Sequence, residues 1–138
     1  MTVSFDMKTI RLITLFENIT GATVKDCILE DDIVYYVVEE GKIALAIGKN
    51  GKTIKSAERI IGKKIKVFEY DKSPVNFVKK LIPQSKEVRI REEGNNVIVE
   101  VKISKSDRPF VIGRDGKNIK AFKKILERTH KITDIKVK

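Results

Sequence analysis

The chain of 138 residues has no tryptophan, a single cysteine and a single histidine. The lone Cys27 excludes an internal disulfide and a thiolate metal cluster, and the lone His130 excludes a metal site built on several imidazoles. No apolar run approaches the roughly 20 residues that cross a bilayer, and the N-terminus lacks the basic start and apolar run of a signal peptide. We therefore expect a cytoplasmic protein with no metal, no cofactor and no membrane partner.

Acidic residues are in the minority. The chain carries 29 Lys and Arg against 19 Asp and Glu, which gives a formal net charge of +10. Such a balance favours a polyanionic partner, first nucleic acid and second an anionic membrane surface; the alternative is a lysine-rich surface without a specific partner. The excess is uneven, because residues 1–70 hold 11 basic and 10 acidic side chains and residues 71–138 hold 18 and 9.

Two short stretches repeat one pattern, in which two glycines flank two polar residues between an apolar and a basic segment. The first is IGKNGKTIK at 47–55 and the second is IGRDGKNIK at 112–120. A shift of 65 residues aligns 33–61 with 98–126 without a gap and keeps apolar and basic positions in register. A match of this kind is evidence for an internal repeat, so we predict two similar domains, 1–71 and 72–138.

Hydrophobic periodicity predicts the order helix, strand, strand, short helix, glycine loop, helix, strand in each half. The proposed helix caps are Ser4 or Asp6, then Ser73 before Pro74, and Ser106 or Asp107. Alternation on the strand around 88–90 predicts a half-buried strand with a basic outer face. We expect one last strand that contains Ile132, Ile135 and Val137, and at least one of Tyr35 and Tyr36 pointing into the core.

The glycine loops have the properties of a phosphate-binding site. Glycine lets a bulky partner approach the backbone, since no Cβ intervenes. The helix after each loop directs free N–H groups and the positive end of its dipole to the same place, and Lys49, Lys52, Arg114 and Lys117 add charge there. The short apolar helix before the loop and the neighbouring strand would form a groove for bases. A single loop of this kind is more often a plain turn with a solvated lysine face, but its repetition favours nucleic acid.

The repeated Ile-Gly-x-x-Gly-Lys-x-Ile-Lys resembles the signature of KH domains, and the element order resembles the type II arrangement. A tandem pair that fills most of the chain resembles the archaeal NusA-like transcription factors. The resemblance implies an α+β fold of two type II KH domains, each a three-stranded mixed sheet packed against three helices. It also implies that each loop clamps about four nucleotides of single-stranded RNA.

Carried over by position, the resemblance implies RNA-binding residues in both loops and at the start of the following helices. They are Gly48, Lys49, Asn50, Gly51, Lys52 and Lys55 in the first half and Gly113, Arg114, Asp115, Gly116, Lys117 and Lys120 in the second. Asp115 departs from the family, whose variable loop positions are usually basic. We therefore expect the first loop to be the cleaner clamp and the second domain to supply more long-range attraction.

Signals for catalysis are weak. The segment 51–53 is similar to the end of a nucleotide-binding P-loop, but that motif needs a glycine where the chain has Ala46. Asp31 and Asp32 fit a solvated turn better than a nuclease centre, and Cys27 on a predicted strand fits the core better than a nucleophile. We expect no enzymatic activity.

The prediction is a monomeric protein that binds single-stranded RNA in transcription termination or antitermination, with RNA polymerase or the elongation complex as a candidate partner. One alternative keeps RNA binding but places it at the ribosome or in ribosome assembly. Another is a non-catalytic protein-interaction module.

Overall fold

The computed structural model describes residues 6–138. The chain divides into two compact units, Met1–Asp71 and Lys72–Lys138, which we propose as its two domains. No helix in residues 6–138 is long and apolar enough to cross a membrane.

Each unit is a three-stranded mixed sheet with three helices, as predicted. Unit 1 comprises α1 (Met7–Thr20), β1 (Val24–Glu30), β2 (Ile33–Val38), α2 (Ile43–Ile47), α3 (Lys52–Ile61) and β3 (Lys64–Glu69). Unit 2 comprises α4 (Pro74–Leu81), β4 (Glu87–Glu93), β5 (Asn96–Lys102), α5 (Arg108–Ile112), α6 (Lys117–His130) and β6 (Asp134–Val137). The middle strand of each sheet pairs antiparallel with the strand before it and parallel with the last one.

Local sequence fixes both ends of α1. Asp6 caps the helix, because its carboxylate accepts a hydrogen bond of 2.7 Å from the Thr9 amide. That bond stabilises the charged form and holds the pKa of Asp6 below its usual value. Gly21 ends the helix in the left-handed conformation and donates its amide to the Glu17 carbonyl at 2.8 Å. The other proposed cap, Ser4, lies outside the described residues.

The core of unit 1 lies between its three helices and one face of the sheet. The Phe16 ring stacks on Tyr36 with centroids 3.9 Å apart, and the Tyr36 hydroxyl donates to the Leu12 carbonyl at 2.7 Å. Cys27 is buried in the same cluster, as expected of a core residue. Tyr35 is fully buried as well, and burial raises the pKa of its phenol to about 12. The sequence predicted that at least one of these two tyrosines points inward, and both are buried.

Two predictions in unit 2 hold only in part. Asp107, one of the two predicted caps, is the N-cap residue of α5, but its side chain makes no capping hydrogen bond, because its backbone angles, φ −87° and ψ −19°, are helical rather than the extended ones of a capping residue. The turn before α5 instead forms on the Ser104 carbonyl, which accepts the amides of Asp107 and Arg108 at 3.1 and 3.2 Å. Ile132 is buried but precedes the last strand, because α6 runs on to His130 and ends at Lys131 in the left-handed conformation.

The two units follow the predicted 65-residue shift through the loop region. Helices α2 and α5 span 43–47 and 108–112, and a single 3-10 turn follows each at 49–51 and 114–116. The next helices then begin at 52 and 117. The gapless alignment of the sequence is thus a gapless alignment of structure up to the end of α3.

The first glycine of each loop packs against the start of the next helix. Gly48 has φ 75° and ψ 171°, and a Cβ there would overlap the Thr53 hydroxyl and lie 2.9 Å from the Thr53 amide nitrogen. Gly113 has φ 81° and ψ 166°, and a Cβ there would lie 2.9 Å from the Asn118 side chain and amide. Both backbone conformation and lack of space therefore require glycine.

We predict that Gly48→Ala destabilises unit 1 more than Gly51→Ala. At Gly48 an added methyl meets both a glycine-only backbone region and an occupied space, so we expect a loss of about 2–4 kcal/mol. Gly51 also has a positive φ of 72°, but the nearest atom to its added Cβ is a methyl at 3.9 Å. Only the left-handed backbone then costs, by about 1–2 kcal/mol. Urea unfolding followed by far-UV circular dichroism measures both variants, and equal losses would contradict this packing.

Candidate nucleic-acid interface

The two Gly-x-x-Gly loops have the same backbone conformation. The first and second glycines have φ of 75° and 72° in unit 1 and 81° and 72° in unit 2. The residue between them that lacks helical angles is Asn50 in one loop, with φ 55°, and Asp115 in the other, with φ 56°. Asn and Asp are the non-glycine residues that best tolerate this left-handed region. From the sequence Asp115 is only an unfavourable charge, whereas the backbone explains why a short polar residue stands there.

The helix that follows each loop begins at a glycine, which has no side chain to cap it. The N-cap residues of α3 and α6 are Gly51 and Gly116, and neither helix has a side-chain cap hydrogen bond. The first amide of each helix, at Lys52 and Lys117, donates to the carbonyl of Lys49 or Arg114 in the preceding 3-10 turn. A helix leaves the following first-turn amides without intrahelical partners, and its dipole adds partial positive charge at the same end. Each loop therefore carries a helix start that is suited to an anion.

Exposed cations surround these helix starts. Lys49, Lys52 and Lys55 are exposed in unit 1, and Arg114 and Lys120 in unit 2. Within residues 6–138 these five side chains make no ion pair. Lys117 differs, since it is half-buried and has interactions within the protein.

The arginines of β4 contrast with the loop cations. Arg89 pairs with Glu87 at 2.6 Å, and Arg91 pairs with Glu100 at 2.9 Å and with Glu93. The outer face of β4 is therefore basic in sequence but largely neutralised in the structure, because acidic partners lie beside each arginine. This leaves positive charge available at the loops rather than on the sheet.

Positive charge continues along α3 beyond the predicted site. An open pocket of about 830 Å³ lies beside this helix. Its lining comprises Asp32, Lys52, Lys55, Ser56, Glu58, Arg59, Gly62, Lys63 and Lys64. The sequence prediction included Lys52 and Lys55 but not Arg59. The spacing 52, 55, 59 could have identified it, because residues at i, i+3 and i+7 share one helix face.

Apolar side chains are exposed directly before each loop. On α2, Leu45 and Ile47 are 49% and 38% exposed; on α5, Phe110 and Ile112 are 74% and 36% exposed. The short helix was predicted to contribute the apolar part of a groove for bases. Exposed apolar groups next to cations and free helix ends can contact a base and a phosphate of the same strand.

Residues that could support other chemistry are used in packing. His130 stacks on the Phe77 ring with centroids 4.9 Å apart, and Cys27 is buried. The described residues include no group of three or more His, Cys, Asp or Glu that could hold a metal ion.

Comparison with protein families matches both halves of the chain. Residues 11–83 match the profile of a KH domain. Residues 75–138 match that of the KhpA/KhpB KH domain. Together they cover both loops and all six helices at least in part.

Similar proteins match over most of the chain. A protein of Methanocaldococcus jannaschii named "Probable transcription termination protein NusA" is 38% identical over 127 residues, 91% of this chain and 69% of its own. Its namesake in Halococcus morrhuae is 31% identical over 99% of both chains. The crystal structure of APE1850 superposes with a TM-score of 0.80 at 30% identity, covering 97% of this chain and all of that one. The chain therefore belongs to the KH-domain family, among the archaeal NusA proteins.

Proposed function

We propose that the protein binds single-stranded RNA through both Gly-x-x-Gly loops. The sugar-phosphate backbone would lie on each loop and on the amides of the following helix start, and bases would lie over the exposed apolar residues of α2 and α5. One observation carries the proposal: two loops with the same backbone angles each precede an uncapped helix start and exposed cations that make no ion pair in residues 6–138.

The second glycine of each loop leaves room for the RNA strand. A Cβ at Gly116 would meet no atom within 4 Å, and one at Gly51 would meet only a methyl at 3.9 Å. The absence of side chains there exposes the loop backbone to a ligand. Lys49 and Arg114 would contact phosphates from within the loop. The lysines of the following helices, Lys52, Lys55, Lys117 and Lys120, would continue the contact.

The cellular role we propose is transcription termination or antitermination, with RNA polymerase or the elongation complex as protein partner. The names of the relatives support this role. We further propose that the protein acts as a monomer in the cytoplasm, and through binding rather than catalysis. The match to KH domains favours RNA binding over a protein-interaction module.

We predict that the pair of changes Lys49→Asp and Asn50→Asp lowers the affinity for a random-sequence single-stranded RNA about tenfold or more, because it places negative charge at the phosphates. The fold should persist, since Asp115 already occupies the matching left-handed position of the other loop. Arg114→Asp should weaken binding through the second loop in the same way. Fluorescence anisotropy of labelled RNA measures each affinity.

A matched control separates the clamp from net charge. Lys8→Asp with Thr14→Asp changes the formal charge by the same amount at exposed positions of α1. The control pair should reduce affinity much less than the loop pair. Equal losses, or unchanged affinity in both loop variants, would mean that the loops do not hold the phosphates.

Binding should weaken as salt rises. For single strands the slope of log K against log salt is about −0.7 for each phosphate that the protein neutralises. Replacing Lys49 alone by Ala should flatten this slope by about that amount, whereas Lys8→Ala should leave it unchanged. Titrations at several KCl concentrations give the slopes, and a salt-independent affinity is incompatible with phosphate contacts.

The cellular role is tested by affinity purification from RNase-treated lysate of the source cells. We expect tagged protein to retain RNA polymerase subunits, because the proposed partner contact does not require free RNA. Recovery of ribosomal subunits without polymerase would instead support the ribosomal alternative. The loop pair of variants serves as a control for residual RNA tethering.

A further inference from the structure

One position distinguishes the two otherwise matched loops. Three residues before the first glycine, unit 1 has Leu45 and unit 2 has Phe110, which the 65-residue shift places at equivalent points of α2 and α5. The Phe110 ring is 74% exposed. Among phenylalanines in residues 6–138 it is the one that is exposed; the others are buried or half-buried.

The backbone that carries this ring is held in place. The buried Asn118 on α6 donates its side-chain amide to the Phe110 carbonyl at 2.9 Å. Gly113 packs against the same asparagine, so α5, the loop and the start of α6 are joined through one side chain. Burial of an amide group is costly unless it is hydrogen-bonded. The bond to the Phe110 carbonyl therefore stabilises Asn118 in its buried position. Unit 1 has Thr53 at the corresponding position.

The surroundings of the ring are those of a single-strand binding surface. Arg114 and Lys120 are exposed nearby in sequence and make no ion pair within residues 6–138, and Ile112 adds a second exposed apolar group. Proteins that hold single strands combine a positive groove with aromatic rings on which unpaired bases stack. An exposed ring among cations complements a polyanion with flat apolar bases better than it does a basic or neutral protein surface.

We propose that Phe110 is a base-stacking side chain of the second loop. The inference rests on the RNA binding proposed above and assigns the two loops different chemistry. Unit 1 holds the RNA strand mainly by its phosphates, and its apolar contacts, from Leu45 and Ile47, are aliphatic. Unit 2 adds a contact that requires a base but not a particular base, because every base has a flat face.

The main test is Phe110→Leu, which places the residue of unit 1 in unit 2. We expect the affinity for single-stranded RNA to fall about fivefold or more, because the variant loses the stacking of one base on an aromatic ring. Affinity for an abasic oligoribonucleotide of the same length should not change, since its phosphates are intact. The salt slope should also stay the same, because no charge is altered. The reciprocal change Leu45→Phe should raise the affinity for normal RNA but not the affinity for the abasic strand.

Fluorescence reports the contact directly. The chain has no tryptophan and three tyrosines, so Phe110→Trp introduces a single tryptophan, whose emission can be excited selectively and which a stacked base should quench. Met7→Trp, at a position 69% exposed on α1, is the control that RNA should not quench. The abasic strand should quench neither protein.

Failure of the inference and failure of RNA binding have different signatures. If Phe110→Leu keeps full affinity while the loop charge variants lose it, RNA binding stands and stacking is wrong. Equal loss on normal and abasic strands would assign the ring a role in packing. Normal RNA affinity with lost recovery of polymerase would make it a protein contact. Absence of RNA binding by the unaltered protein would overturn both proposals.

Discussion

The close contact between the first glycine of each loop and the next helix is the constraint on which both candidate sites depend. At Gly48 and Gly113 a side chain is excluded by backbone angles and by atoms of Thr53 and Asn118. This contact brings the chain from one short helix directly onto the start of another, with a single 3-10 turn between them. The turn, the uncapped helix end and the backbone that carries the flanking cations are therefore fixed relative to one another before any ligand binds. Preorganisation of this kind reduces the entropy that binding would otherwise cost.

One backbone can then carry different side chains at the same places. Position two of the loop is Lys49 or Arg114, and position three is Asn50 or Asp115. The left-handed angle at position three favours glycine and short polar residues such as Asn and Asp, and it leaves their charge open. Asp115 thus reduces the positive potential of the second loop without disturbing its shape, and unit 2 offsets this with a large basic excess elsewhere.

Much of this architecture could be predicted from sequence because local signals coincide with the fold. The repeat at a shift of 65 residues predicted that the same elements occur in both halves. The caps at Asp6 and Ser73 predicted the starts of two helices, and alternating apolar residues predicted strands. Errors arose where a distant or backbone group decides the outcome. The Ser104 carbonyl, rather than a side chain, starts the turn before α5. Acidic partners on β4 and β5 neutralise Arg91, and no period in the sequence marks those pairings. A motif gives the place of each site residue in the chain but not its contacts.

The asymmetry between the loops follows from two coupled substitutions rather than one. The first difference is Phe110 in unit 2 where unit 1 has Leu45. By itself it would expose a ring on a helix of only five residues, and such helices have little stability of their own. The second difference is Asn118 in unit 2 where unit 1 has Thr53. The side-chain amide of Asn118 donates to the Phe110 carbonyl and so fixes the backbone that carries the ring. A ring that must meet a base benefits from a rigid mount, because the entropy of ordering is then lost on folding rather than on binding. The difference between the units is therefore better described as a second type of contact on a shared frame than as a weaker copy of the first loop.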